Sequence, residues 1–507
     1  MSRNVRNIAI GAAALSLPLA LLATNSAAVY GPGNGWGKSA PLIERSSAGQ
    51  VDEHAGARRI TRDQTQVIAD SVRKNSAKNV ILVIGDGMGD SEITIARNYL
   101  EGAGGSLKGI DSLPLTGQMT HYSVDRETGK PDYVADSAAT GTAWATGTKT
   151  YDNAISVDRH GAPQQSVLQW AKKTGRATGN VSTSEIQDAT PAVLYSHMSL
   201  RACKGPVATS KTCSAEALEN GGPGSISEQL LDTRPDVTLG GGSAFYEEVA
   251  QAGKFKGKTL AEQARERGFQ YYTDKADLAS IKKADQKSPV LALFAPNNLP
   301  VKFAPLVAAK GGAALPAAEC QPEPAFSDVP ALGEMTSKAI DLLTKNKDGR
   351  KNGFFLQVES ASIDKKDHSA DVCGQIGETQ QMDEAVQEAL EFAKRDGNTM
   401  VIVTADHAHT SMIVDGGTPG HDAHLNTADG SEMIVTYGTS ARPGGMQHTG
   451  AQVRVAGYGP GAANIVGLID QTDLFFTMRD GMKNWSKVHP PQKSKPAKKS
   501  ERSNNRR

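Results

Sequence analysis

Apolar residues in this chain fall in a few short unbroken runs rather than alternating with polar ones. The first strong run is Asn79-Val80-Ile81-Leu82-Val83-Ile84, followed by VLALF over 290–294, GFFLQV over 353–358 and MVIVT over 400–404. Runs of this length without alternation are buried on both faces, as in the middle of a parallel sheet. Between them, apolar positions recur at helical spacing over 92–100, 138–146, 227–231, 335–343 and 378–394. Strands alternating with helices predict an α/β protein, a three-layer α/β/α domain around a central, mostly parallel sheet. Ligands collect beyond the carboxyl ends of the strands in such sheets. The residues just after each run therefore matter most. Asp86 follows the first run in GDGMG, Glu359 follows the run ending at Val358, and Asp406-His407 follow the run ending at Thr404. These three strand ends are expected to meet in one crevice.

The termini break this pattern. Arg3 and Arg6 precede a mostly apolar stretch from Ile8 to Leu22, and Ser26-Ala27-Ala28 offers small residues for cleavage, so residues 1–28 read as an export signal. The stretch is shorter than the roughly 20 residues a bilayer span requires, and no later segment is long and apolar enough to span one. Export out of the cytoplasm is therefore expected. Residues 29–75 read as a polar N-terminal arm, 76–482 as the main domain, and 483–507 as a basic, disordered tail. The Ala- and Gly-rich segment 305–318 reads as a surface insertion. Over 507 residues, 38% hydrophobic and 22% charged content is ordinary for a globular enzyme. The formal net charge of zero hides nine Lys/Arg against one Glu in 483–507, which leaves the preceding chain at −8. A net-acidic body argues against a dedicated nucleic-acid binder. Of the three pairings open to Cys203, Cys213, Cys320 and Cys373, the local one is expected, Cys203 with Cys213 and Cys320 with Cys373, because the first closes a short polar loop. No Cys-x-x-Cys spacing supports a cysteine zinc site.

The candidate chemistry sits on and around Asp136-Ser137-Ala138-Ala139-Thr140. A serine that opens a helix lies where unpaired N–H groups and the positive dipole end attract an anion. Taken alone, Asp-Ser before an alanine-rich helix is more often a simple N-cap. The rest of the chain changes the odds. Asp406-His407-Ala408-His409 pairs a carboxylate with imidazoles after a strand, and Asp364-x-x-x-His368 brings both side chains to one helix face. His448 in Gln447-His448-Thr449-Gly450 adds a third imidazole site, although read alone it is a surface histidine. Asp86 between glycines is, by itself, a turn residue. Asp188-Ala189-Thr190 and Glu359 are oxygen-only donors that suit magnesium. Arg201 is a planar, bidentate partner for phosphate, or else an exposed arginine beside Cys203.

The blocks IGDGMGDSE (84–92), DYVADSAATGTAWATGTKTYDNAISVD (132–158), NVSTSEIQDATPA (180–192), FFLQVESASIDKKDH (354–368), VTADHAH (403–409) and QHTG (447–450) resemble the bacterial periplasmic alkaline phosphatases in order and spacing. The resemblance covers about residues 76–480. It implies a homodimer, two zinc ions and one magnesium ion per active site, and hydrolysis of phosphate monoesters at alkaline pH through a phosphoserine on Ser137. Carried over by motif, Asp364, His368 and His448 would hold one zinc, and Asp86, Asp406 and His407 the other. Asp86, Thr190 and Glu359 would reach the magnesium. Arg201, oriented by Asp136, would clamp the phosphate, with Asp188 and Lys365 acting through water. His409 would support ligands rather than bind metal.

Because such a site addresses only the phosphoryl group, broad monoester specificity is expected. Among rival readings, a sulfatase would need a Cys/Ser-x-Pro-x-Arg setting, which Ser137-Ala138-Ala139-Thr140-Gly141 lacks. A diesterase typically places threonine at the nucleophile and lacks the Arg201 clamp. A metal or phosphate scavenger would bind without turnover and would have no use for the intact nucleophile block.

Overall fold

The structure is a computed structural model and describes residues 42, 45–46, 59–60, 63–72 and 74–490. The signal segment, most of the arm and residues 491–507 lie outside the described residues. The strands of the two larger sheets are β1 (Asn79–Gly85), β2 (Leu115–Thr120), β3 (Ala177–Glu185), β4 (Val237–Gly241), β5 (Gln270–Tyr272), β6 (Val290–Leu293), β7 (Phe354–Ser360), β8 (Thr399–Ala405), β9 (Ser411–Val414), β10 (His421–Asn426), β11 (Glu432–Tyr437), β12 (Val453–Tyr458) and β13 (Gly467–Asp470). The helices that frame the site and the sheet centre are α1 (Asp90–Glu101), α2 (Ser137–Thr146), α3 (Ala189–Ala192), α4 (Leu332–Lys345), α5 (Ser362–His368), α6 (Val372–Asp396) and α7 (Asp473–Val488).

Ten strands form one sheet in the order β13-β2-β12-β8-β1-β7-β3-β4-β6-β5. Every pairing is parallel except those of β12, which runs antiparallel to both β8 and β2. The predicted α/β class with a mostly parallel sheet holds. Every residue of β1, β7 and β8 is buried, so both faces of the sheet centre are covered, as their continuous apolar runs require. The helices α4 and α6 pack on each other and over the central strands, and α2 packs against α7 and α3. Burying polar residues in such a core demands partners. Gln357, fully buried in the middle of β7, accepts the Trp144 indole N–H of α2 at 3.2 Å and donates to the Thr190 carbonyl of α3 at 2.7 Å. One side chain thereby ties α2 and α3 to the sheet.

A separate antiparallel sheet, β9-β11-β10, comes after β8. The Ala- and Gly-rich segment 305–318 is mostly exposed, as expected of an insertion, but bridges at Ala309–Asp422 and Ala318–Leu425 lay it along β10. The disulfides are Cys203–Cys213 and Cys320–Cys373, the local pairing expected from the sequence. The second anchors that segment to the start of α6, four residues after α5 ends. Replacing Cys320 and Cys373 together by serine is expected to cost roughly 2–4 kcal/mol, read as a lowered guanidinium midpoint. The tail placed from residue 483 begins instead as helix, because α7 continues to Val488. No helix among the described residues is long and apolar enough to cross a membrane.

Candidate active site

Strand register does the first part of the assembly. Gly85 of β1 lies level with Ser360 of β7 on one side and Ala405 of β8 on the other. The residues around those ends, Asp86, Glu359 and Asp406, therefore project into the same crevice beyond the sheet. Gly87 turns the chain there with φ of +73°, and a Cβ on it would meet the Asp364 backbone at 3.0 Å. Only glycine fits both demands. In return the Asp364 N–H donates to the Asp86 carbonyl at 2.9 Å, which seats α5 over the strand end.

Ser137 is the first residue of α2, a helix buried along its whole length and built from small residues around Trp144. Asp136 caps it, accepting the Ala139 N–H at 2.9 Å. This is the N-cap that the sequence alone suggested, and it leaves Ser137 turned toward the crevice. Ser137 Oγ is 3.4 Å from Asp86 Oδ1 and 3.3 Å from His407 Nε2.

Two clusters of metal-ligand type line the crevice, and the second contains the Asp86 and His407 that reach that hydroxyl. In the first, Asp364 Oδ1 lies 3.2 Å from His368 Nε2, 3.1 Å from His448 Nε2 and 3.2 Å from His409 Nε2. In the second, His407 Nε2 lies 3.1 Å from Asp406 Oδ2 and 3.5 Å from Asp86 Oδ1. The rings of His407 and His448 stack at 3.6 Å, so the clusters adjoin. Backbone contacts determine which ring nitrogens face inward. His448 Nδ1 reaches the Ala135 carbonyl at 3.0 Å, His407 Nδ1 the Ala408 carbonyl at 3.3 Å, and His368 Nδ1 the Met446 carbonyl. A carbonyl only accepts, so each Nδ1 carries the proton and each Nε2 presents a bare lone pair. His409 is the reverse. Its Nδ1 accepts the Thr410 N–H at 3.0 Å, which puts the proton on Nε2, facing Asp364. Such a ring orients the aspartate and has no lone pair to offer a cation.

The donor set fits divalent cations. His368 Nε2 and His448 Nε2, both lone pairs, face each other at 3.2 Å. Asp406 Oδ1 accepts the Gly87 and His407 N–H groups at 2.8 Å each, while its buried Oδ2 makes no aligned hydrogen bond. Asp364 Oδ1 and Thr190 Oγ1 are likewise buried without an aligned partner. Buried acceptors left in this state are costly unless a cation meets them. Among the described residues, seven carboxyl groups (Asp86, Asp136, Glu185, Asp188, Glu359, Asp364, Asp406) gather around three long basic side chains, Arg201, Lys204 and Lys365. Burial, with Asp406 and Asp364 nearby, pushes the Asp86 carboxyl well above its ordinary range. Burial likewise lifts Glu359 to about 7 and Asp406 to about 6. Burial also opposes ionisation of Asp364, but the Nε2–H of His409 facing it favours the charged form, and the carboxyl stays low.

A third group surrounds Asp188, the cap of α3. Its Oδ1 accepts Arg201 at 2.9 Å and its Oδ2 accepts Lys365 at 2.8 Å, while Arg201 also donates to Asp136 at 3.1 Å. Burial works against all three charges, yet their mutual attraction wins. Asp188 stays ionised, and Arg201 and Lys365 stay protonated. Glu359, buried on β7, accepts hydrogen bonds from Ser182 and Ser184, near Thr190. The fourteen residues singled out from the sequence, His409 included, are thus brought together around one crevice. Lys204 joins them without having been expected, its ammonium reaching Glu185 and Asp188. Its one signal in the sequence is its position three residues after Arg201, inside the Cys203–Cys213 loop.

A family model described as alkaline phosphatase matches residues 77–445. The chain is 57% identical over 444 residues to alkaline phosphatase of Escherichia coli (strain K12), covering 87% of this chain and 93% of that one. It is 55% identical over 469 residues to alkaline phosphatase H of Pseudomonas aeruginosa (strain UCBPP-PA14), covering 91% and 98%. Among solved structures, alkaline phosphatase from the Antarctic bacterium TAB5 superposes with a TM-score of 0.59 at 25% identity, covering 81% of this chain and 99% of that one.

Proposed function

Since the chain belongs to the alkaline phosphatase family and is a metal-dependent phosphomonoesterase, we propose that it works through a phosphoserine on Ser137, accepts a broad range of monoesters and is most active at alkaline pH. The observation that carries this is the Ser137 hydroxyl at a helix N-terminus, within 3.4 Å of both Asp86 and His407 of a cation-type cluster that a second such cluster adjoins. The donor sets suit zinc at Asp364, His368 and His448, zinc at Asp86, Asp406 and His407, and magnesium at Asp86, Thr190 and Glu359. Cations bound there supply the positive charge that favours the serine alkoxide and neutralises the leaving oxygen.

The chain's own groups do the rest. Arg201, held by Asp136 and Asp188, offers two parallel N–H groups to the non-bridging oxygens of the phosphoryl group. Ser137 Oγ loses its proton and attacks phosphorus in line. The bond from phosphorus to the ester oxygen breaks, and the alcohol leaves with a proton. Water then attacks the phosphoserine, the Ser137 oxygen leaves and regains a proton, and inorganic phosphate is released. His409 and the backbone carbonyls keep the ligand groups oriented throughout.

The reading includes two copies acting as a homodimer and export to the periplasm, both supported by the resemblance and the N-terminal segment. It is tested by quenching the enzyme in acid during turnover of a ³²P-labelled monoester. One peptide should carry label, and it should contain Ser137. Label on any other residue, or none under conditions of full turnover, refutes the covalent route.

A further inference from the structure

Lys204 takes no part in the bond-making and bond-breaking steps. Its Nζ lies 2.5 Å from Glu185 Oε2 and 3.5 Å from Asp188 Oδ1. That Asp188 oxygen is the one that holds Arg201, and the other Asp188 oxygen holds Lys365. A single carboxylate is therefore shared among three cations. The lysine is built in rather than waving at the surface, for its side chain is 20% exposed. Its carbonyl accepts the Ser227 N–H at 3.0 Å and the Ser227 hydroxyl at 2.9 Å. Its neighbour Cys203 is tied to Cys213.

The arrangement bears on how freely Arg201 can turn to a phosphoryl group. Two carboxylates grip the guanidinium from behind, and a phosphate must compete with them for its N–H groups. A carboxylate oxygen that also faces an ammonium grips the guanidinium less tightly, and the added positive charge favours an incoming anion. We propose that Lys204 is a positioning residue that, by sharing Asp188, loosens the hold of that carboxylate on Arg201 and strengthens binding of phosphoryl oxygens. Glu185 opposes it by competing for the same ammonium. The proposal rests on Arg201 being the phosphate clamp.

The metal-loaded enzyme tests it through the monoester KM and the inhibition constant of inorganic phosphate. Lys204→Met should raise both together, roughly three- to tenfold, with kcat changed less than about twofold. Lys204→Arg should restore most of the loss. Glu185→Gln should shift the phosphate constant the opposite way, an outcome that folding damage does not produce, and this gain should shrink when Lys204→Met is present. An unchanged phosphate constant in Lys204→Met, or a shift of the same sign in both single variants, overturns the proposal. Arg201→Ala separates the two levels. If it weakens phosphate while Lys204→Met does not, only the role of Lys204 fails; if it leaves phosphate unaffected, the clamp itself is misassigned.

Discussion

Ser137→Ala is expected to lower monoester turnover by at least about a thousandfold while leaving the metal content of the protein unchanged. The hydroxyl opens α2 within reach of Asp86 and His407, and neither cluster contains it: the first holds Asp364, His368, His409 and His448, the second Asp86, Asp406 and His407. The substitution removes one oxygen from a 2%-exposed position in a helix already made of alanine and threonine. The fold should therefore be indifferent to it. Elemental analysis and a thermal melt on the same preparation would show whether activity was lost for that reason alone. Near-native turnover in the variant would exclude Ser137 as nucleophile.

Removing the metal is the second large effect. Prolonged chelation should abolish activity, and adding back zinc with magnesium should restore it. The stripped protein should also acquire a distinctive dependence of stability on pH. Burial raises the carboxyls of Asp86, Glu92, Glu359 and Asp367, with Glu92 and Glu359 reaching about 7. A carboxyl raised in the folded state keeps its proton where the unfolded chain has lost it. Raising the pH through the folded value therefore costs stability. The depressed imidazoles of His407 and His409 act the other way, but only below about pH 6.5, above which they are neutral folded or unfolded. Between about pH 6.5 and 8 the carboxyls set the slope, the raised His448 imidazole acts in the same sense and Lys172, depressed to about 8, opposes them only toward the upper end, so the melting temperature of the stripped protein should fall. In the metal-loaded protein Asp86 and Glu359 should already be ionised and paired, so the fall should shrink to the share of Glu92 and Asp367. A stripped protein whose melting temperature is flat or rising across this interval would show that the acidic crowd is relieved by something other than cations.

How much was legible beforehand depended on what each element buries. The strands β1, β6, β7 and β8 bury aliphatic and aromatic side chains, so their runs stand out in the sequence. The strand β3 is equally central but reads ATGNVSTSE. It buries hydroxyls and an amide rather than hydrocarbon, and Thr178, Ser182 and Thr183 find acids at Asp236, Glu359 and Glu378. No apolar pattern announces a strand of that kind. The strands β2 and β12 were missed because each is interrupted by glycine and polar residues, as was the small sheet β9-β11-β10. The site residues were easier to see than the fold around them. Acids and imidazoles directly after hydrophobic strands have few other uses. Lys204 carried no such mark, because nothing in a loop sequence says that its lysine folds back onto an aspartate sixteen residues earlier.

The proposed cation donors come from widely separated stretches of the chain, at Asp86, Thr190, Glu359, Asp364 to His368, Asp406-His407 and His448. During synthesis the final imidazole leaves the ribosome only after all the others, so a growing or prematurely cut product holds an incomplete set of ligands. A polypeptide that ends just before residue 448 lacks one imidazole of the first cluster but keeps all three members of the second, so the two clusters become complete at different lengths of chain.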